Sequence, residues 1–211
     1  KHPLEFRQLK ITDTKILAPV MKRSAPYIEG YVHWGTYASR WNFQDVQKFI
    51  SARCREDFPR VHYLFLIGKE PVCLASFAPM PHALDAQIAL AVFHPHQGKG
   101  IGRSVVATME WLAFSVWGFE VLWYQHDASN RNSQKLAVRS GFAFHHTFDD
   151  VISAKNETGL WFSHAKVKDE HNPPGILQGA DMNHWAIPRT HEELNALVHE
   201  QGAAVKPSHE D

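Results

Sequence analysis

The sequence predicts an α/β chain, a mixed β-sheet covered by helices, and three observations carry that expectation. Short apolar or alternating runs recur from Leu4 to Lys166, as strands require. In the middle of the chain these runs alternate with segments of helical spacing, while the front strands follow one another directly. A glycine cluster, Gly98–Gly102, joins one run to a long apolar-faced helix.

Taken in order, Leu4–Ile11 alternates apolar and polar residues and reads as a half-buried strand. Thr12 and Asp13 offer N-caps for a helix to about Val20. The aromatic stretch Ala25–Trp41 leads to a second helix over Phe43–Glu56, with Val46, Phe49, Ile50 and Arg53 at helical spacing. Strands are expected at His62–Ile67, Val72–Phe77 and Gln87–Phe93, with Lys69-Glu-Pro71 as the first turn. A helix over Arg103–Trp117 follows, then a strand at Glu120–His126, a short helix at Asn130–Ser140, and strands at Phe142–Phe148 and Leu160–Lys166. Beyond Lys168 the composition turns to Asp, Glu, His, Asn and Pro. The reading is a domain over 1–168 and a C-terminal extension over 169–211 with one short helix, marked by the capping box Thr190-His-Glu-Glu193 and stopped at Gly202.

Composition removes several classes. At 211 residues with 44% apolar and 21% charged side chains the chain is globular, neither disordered nor fibrous. The 22 basic and 22 acidic residues cancel, so no global field draws it to nucleic acid or anionic lipid. No run of about 18 apolar residues occurs, since Val61–Met80 is broken by Lys69 and Glu70. Cys54 and Cys73 read as small reduced thiols, and Lys1-His-Pro-Leu has no apolar signal core. The expectation is a soluble cytoplasmic protein, a monomer or homodimer, with no nucleic-acid or membrane partner. The 15 histidines, among them His94-Pro-His96 and His145-His146, fall into no ligand spacing, so no metal is expected.

The segment Val92-Phe-His-Pro-His-Gln-Gly-Lys-Gly-Ile-Gly-Arg-Ser104 is a strand, a glycine turn and a helix start. The first N–H groups of a helix have no internal acceptor and carry the positive end of its dipole, so the turn is physically an anion site. A dinucleotide fingerprint after Gly98 and Gly100 would need glycine where Arg103 stands, and a P-loop would need Gly-Lys-Ser/Thr, which is absent.

The spacing that fits is Gln97-x-x-Gly100-x-Gly102, followed by Asn130-x-x-Ser133-x-x-Leu136 ending in Gly141-Phe142. With these two motifs the sequence resembles the GNAT superfamily of N-acetyltransferases, and Leu4–Asp13, Arg23-Ser24, Trp34 and the helix from Phe43 resemble its RimJ/RimL branch. The resemblance covers roughly 4–166. It implies a central mixed, mostly antiparallel sheet of about seven strands flanked by helices, and acetyl-coenzyme A as cosubstrate. It further implies that pantetheine lies between the strands Gln87–Phe93 and Glu120–His126. Coenzyme would then be held by Leu90, Val92, Phe93, Gln97, Gly98, Lys99, Gly100, Ile101, Gly102, Arg103, Asn130 and Ser133, with Arg131 and Lys135 as further partners for the 3′-phosphate.

The chain departs from the family pattern at two positions. A glutamate base is replaced by Gln87, which cannot take a proton, and a tyrosine seven residues after Asn130 is replaced by Ala137. Ser133 is the candidate to serve the leaving sulfur, with a helix-capping role as the other reading. Asp85 and His126 are the substitute bases, His126 having the right intrinsic pKa. Trp34, Trp41 and Trp123 are candidates to line an acceptor pocket beside Gln87, with core packing as the alternative. The activity implied is acetyl transfer to a primary amine, either a protein N-terminal α-amine or a small molecule. A catalytically weak acyl-coenzyme A sensor or scaffold is the second reading.

Overall fold

Pairing of the apolar runs gives one mixed sheet. The computed structural model describes residues 3–32, 34–55, 60–80, 84–149 and 160–168. The strands are β1 (Leu4–Gln8), β2 (Val61–Ile67), β3 (Glu70–Pro79), β4 (Asp85–Val92), β5 (Val121–Asp127), β6 (Ala143–Asp149) and β7 (Leu160–Val167). They form a seven-stranded sheet in the order β1-β2-β3-β4-β5-β7-β6. Every neighbouring pair is antiparallel except β4 with β5. The first turn falls earlier than the sequence reading placed it. Gly68, at φ 62°, supplies the left-handed position, so Glu70 and Pro71 belong to β3.

The helices are α1 (Thr14–Ile28), α2 (Gly35–Ala38), α3 (Phe43–Arg53), α4 (Ile101–Trp111) and α5 (Arg131–Arg139). Helix α1 runs well past Val20, through Pro19 and Pro26. A proline removes a helical N–H, yet Leu17, Val20, Met21, Ser24, Ala25 and Ile28 form one continuous buried stripe, and its burial outweighs the two lost bonds. Asp13 does more than start the helix. Its carboxylate accepts from Arg7 at 2.5 and 2.7 Å and from the Lys10 N–H at 2.8 Å, which fastens β1 to α1. Helix α3 opens on a reciprocal box between Asn42 and Asp45.

Alternation along the strands divides the core by face. Leu64, Leu66, Leu74 and Phe93 pack with α1 and α3, whereas Tyr63, Phe65, Phe77, Ile88 and Leu122 pack with α4. Helix α4 ends in one π turn, Leu112–Val116, closed by the Trp117 N–H on the Leu112 carbonyl at 2.9 Å. Trp117 is thereby laid edge-on against Phe77, with ring centroids 4.3 Å apart. The α4 crossover returns the chain so that β5 can lie parallel to β4. The extension 169–211 and its expected helix lie outside the described residues.

Candidate active site

The parallel ladder is short. Asp85, Ala86, Gln87 and Ile88 stand opposite Val121, Leu122, Trp123 and Tyr124, and beyond the last rung the strands part. Strand β4 continues against β3 to Val92, and β5 continues against β7 to Asp127. The Phe93 N–H donates to the Val72 carbonyl at 2.8 Å, on the β3 side. Successive N–H groups of a strand turn to alternate edges, so those of Leu90 and Val92 face the gap, where no β5 rung follows.

The glycine loop closes one end of that gap. Gly98 and Gly100 sit at φ 73° and 85°, a conformation only glycine adopts readily, and a Cβ on either would meet nothing within 4 Å. Backbone conformation selects these two glycines, and the space outside them is open to an anion. The Gly100 carbonyl accepts from Arg103 at 3.0 Å and Ser104 at 3.2 Å, which leaves the N–H groups of Ile101 and Gly102 without acceptors inside α4. Gln97 Nε2 donates to the Val92 carbonyl at 2.9 Å and ties the loop to the end of β4. Gly102 has another reason. A Cβ there would lie 3.1 Å from Leu136 Cδ2, so its absence lets α4 lie against α5.

Across the gap, Asn130 Oδ1 accepts from the Ser133 N–H at 3.0 Å and caps α5. The Ser133 hydroxyl shares a 2.8 Å hydrogen bond with the Tyr124 hydroxyl at the last rung of the ladder. Burial pushes Tyr124 up to about 12, against the pull of the Ser133 bond, so its hydroxyl keeps its proton at neutral pH.

The α1/α3 face of the same strands carries a polar chain. Arg60 Nη2 donates to Gln87 Oε1 at 2.5 Å, and the Gln87 amide donates to Gln125 Oε1. Gln125 Nε2 reaches Ser163 Oγ at 3.5 Å, and Trp123 Nε1 donates to Asp85 Oδ2 at 2.8 Å.

These features match known proteins in one direction. A family model described as Acetyltransferase (GNAT) domain matches residues 4–143. The chain belongs to the GNAT acetyltransferase family. Among solved structures, RimL, the ribosomal L7/L12 alpha-N-protein acetyltransferase in complex with coenzyme A, superposes with a TM-score of 0.68 at 17% identity, covering 78% of this chain and 93% of that one. The microcin C7 self-immunity acetyltransferase MccE, in complex with acetyl-CoA and AMP, has a TM-score of 0.70 at 14% identity, covering 78% and 92%. A spermidine N-acetyltransferase SpeG chimera from Vibrio cholerae and hSSAT has a TM-score of 0.62 at 14% identity, covering 78% and 95%. No curated protein matches at a significant level. The family's cosubstrate is acetyl-coenzyme A, and the broken ladder with the open glycine loop fits it. Among the described residues no cluster is arranged to hold a metal ion, and no helix is long and apolar enough to cross a membrane.

Within the GNAT domain the structure brings Leu90, Val92, Gly98, Lys99, Gly100, Ile101, Gly102 and Arg103 to one end of the gap, and Asn130 and Ser133 to its far side. Phe93 is a correction: its side chain is fully buried among α1 and α3, and its N–H is taken by Val72. Ser133 is not the capping residue, because Asn130 is. Gln87 and Trp123 are partners in the parallel ladder and share a face. Trp34 lies partly buried in a cluster with Trp41 and Phe49, at centroid distances of 6.4 and 5.5 Å.

His126 is the second correction. Alternation turns it to the face opposite Gln125 and Gln87, where it is 3% exposed. Its Nδ1 lies 2.8 Å from the Asp127 carbonyl and its Nε2 3.2 Å from His164 Nε2. An imidazole bonded to a carbonyl through Nδ1 must carry its proton there, so Nε2 accepts from His164. Burial lowers the pKa of both rings. Three contributors escaped sequence reading: Arg60, Gln125 and Tyr124. Only Tyr124 had a local signal, its place on the apolar side of the alternating strand Val121–Asp127.

Gly102→Ala should cost about 1 kcal/mol by overpacking, and adding Leu136→Ala should recover part of that loss, read as non-additivity in urea unfolding. Strict additivity would remove the α4–α5 explanation. The histidine pair gives a pH prediction. The unfolded rings take protons near pH 6.5 that the folded rings refuse, so stability is complete above that value and falls as pH drops below it. Imidazole resonances of His126 and His164 should titrate below about 6.5, and titration at or above it would contradict their burial.

Proposed function

We propose that this GNAT domain transfers the acetyl group of acetyl-coenzyme A directly to a weakly basic amine, an α-amine or a small-molecule amine. The observation that supports it best is the parting of β4 from β5, with two N–H groups turned into the gap and the glycine loop at its end. Coenzyme A supplies an acetyl thioester and leaves as a thiolate. Leu90 and Val92 would donate to the oxygen on which charge develops. Backbone N–H groups from Gln97 to Arg103 would hold the pyrophosphate, and Lys99, Arg131 and Lys135, all exposed, the 3′-phosphate. Asn130 closes the pantetheine side by capping α5. Ser133 would hydrogen-bond the departing sulfur while accepting from Tyr124, which stands in for the tyrosine missing at Ala137.

The amine side supports a weakly basic acceptor. Gln87 is held by Arg60 and Gln125 and takes up no proton, and Asp85 is engaged by Trp123. An α-amine, with pKa about 7.7–8.0, is roughly 10–20% neutral at pH 7, whereas a lysine near 10.4 needs about 3–4 kcal/mol more for deprotonation. Positioning then supplies much of the remaining acceleration.

Calorimetry should show micromolar binding of acetyl-coenzyme A, and a thiol-release assay across amines should show turnover. Coenzyme binding without thiol release would favour the sensor reading instead. Ser133→Ala should lower kcat about tenfold to a hundredfold with little change in coenzyme affinity. Unchanged turnover would leave Ser133 only a packing partner of Tyr124.

A further inference from the structure

We infer that the acceptor carries a negatively charged group, a carboxylate or a phosphate, which Arg60 holds beside the reacting amine. This rests on the acetyl-transfer reading above and names the substrate class of the same site. Arg60 immediately precedes β2, and the pairing of Val61 with Phe77 carries it opposite Ala78, which itself pairs with Gln87. The side chain of Ala78 is small, so the guanidinium crosses it and reaches Gln87 on β4. Ala89, one step further along the same face, is exposed and presents only a methyl group at the edge of the gap. An acceptor seated over Ala89 would have its amine beside Leu90 and Val92 and its far end toward Arg60.

Among the described residues no carboxylate is bonded to the Arg60 guanidinium. Arg60 Nη2 is occupied by Gln87, but Nη1 is buried and, among the described residues, has no hydrogen-bond partner. Gln87 accepts a hydrogen bond and neutralises nothing, whereas a carboxylate at 87 would have paired with the guanidinium. The charged group facing from β4, Asp85, is bonded to Trp123 Nε1. From α3, the Arg53 guanidinium lies 3.4 Å over the Phe49 ring with its Nη1 on the Phe49 carbonyl. Arg53 is lowered to about 10, first by burial and then by the charge of Arg60, and Arg60 is lowered by burial. A buried cationic donor without an acceptor is unfavourable in the protein alone. An anionic oxygen delivered by the acceptor satisfies it and at the same time orients the amine. The replacement of an acid by Gln87 thus has a positive role: it keeps Arg60 charged and available.

The test compares acceptors that differ only in the anion, at fixed saturating acetyl-coenzyme A. One arm pairs Ala-Asp-Ala-amide with Ala-Asn-Ala-amide, and the other pairs phosphoethanolamine with ethanolamine. At least one anionic member should exceed its neutral partner by tenfold or more in kcat/KM, and which arm responds tells carboxylate from phosphate. Arg60→Gln should bring that ratio close to one through KM while calorimetry still shows coenzyme binding. Gln87→Glu should do the same by pairing Arg60 internally. Neutral acceptors equal to or better than anionic ones in both arms would overturn the inference and mean that the Arg60 charge is balanced from within the chain. Should the wild type acetylate no amine, the acetyl-transfer reading fails, and titration of the acetylated peptides into the coenzyme complex still decides this one. Tighter binding of the acidic peptide supports the Arg60 subsite, and equal binding overturns it.

Discussion

The molecule turns on a parallel ladder that stops after four rungs. A β-strand whose neighbour departs keeps its hydrogen-bonding groups but loses their partners, and such groups are costly unless something else satisfies them. Here β3 and β7 hold the outer edges of β4 and β5 to full length, so the inner edges cannot collapse toward other partners. The sheet is therefore stable because of its flanking strands and open because of its middle. The glycine loop, pinned to Val92 by Gln97, fixes how far β4 can move at the place where the opening ends.

The same alternation that builds the core also separates the chemistry. Side chains at even positions of β5, Tyr124 among them, point toward α4 and α5, where Ser133 waits. Those at odd positions, Trp123 and Gln125, point toward the face of Arg60 and Gln87. A thioester lying in the gap would meet a hydroxyl pair on one side and an amide–guanidinium chain on the other. In the proposed reaction, proton delivery to the leaving group and reception of the incoming amine would therefore fall on opposite faces of one sheet, with no residue serving both.

The parts of this arrangement legible in the sequence are those with local causes. Gly98 and Gly100 announce a glycine turn between strand and helix, Asn130 marks the start of a short helix, and the strand runs carry their own periodicity. The parts that were not legible depend on distant partners. Whether Gln87 is an idle replacement or a ligand of Arg60 is decided 27 positions away in the chain. His126 has the intrinsic chemistry of a base, but its face is set by the pairing of β5 with β7, which sequence spacing does not reveal. Helix α1 reads as ending before its second proline because local propensity speaks against it, while the buried stripe that prolongs it appears only once α3 and β3 are in place. Gly102 is legible as a motif glycine yet for the wrong reason, since the atom it avoids belongs to Leu136.

The π turn after α4 sets a count as well as a shape. It closes on the residue five positions back rather than four, so it contains one residue more than the helical turn it replaces. Chain length between the loop and β5 is consequently fixed by a feature that looks like an irregularity. Deleting a residue from Leu112–Val116 would let the helix continue regularly, and yet it would advance β5 by one position relative to β4. Because side chains alternate, a one-residue slip exchanges the two faces of a strand. Tyr124 would leave Ser133 and Gln125 would enter the apolar side, so the more regular helix would belong to the less functional protein.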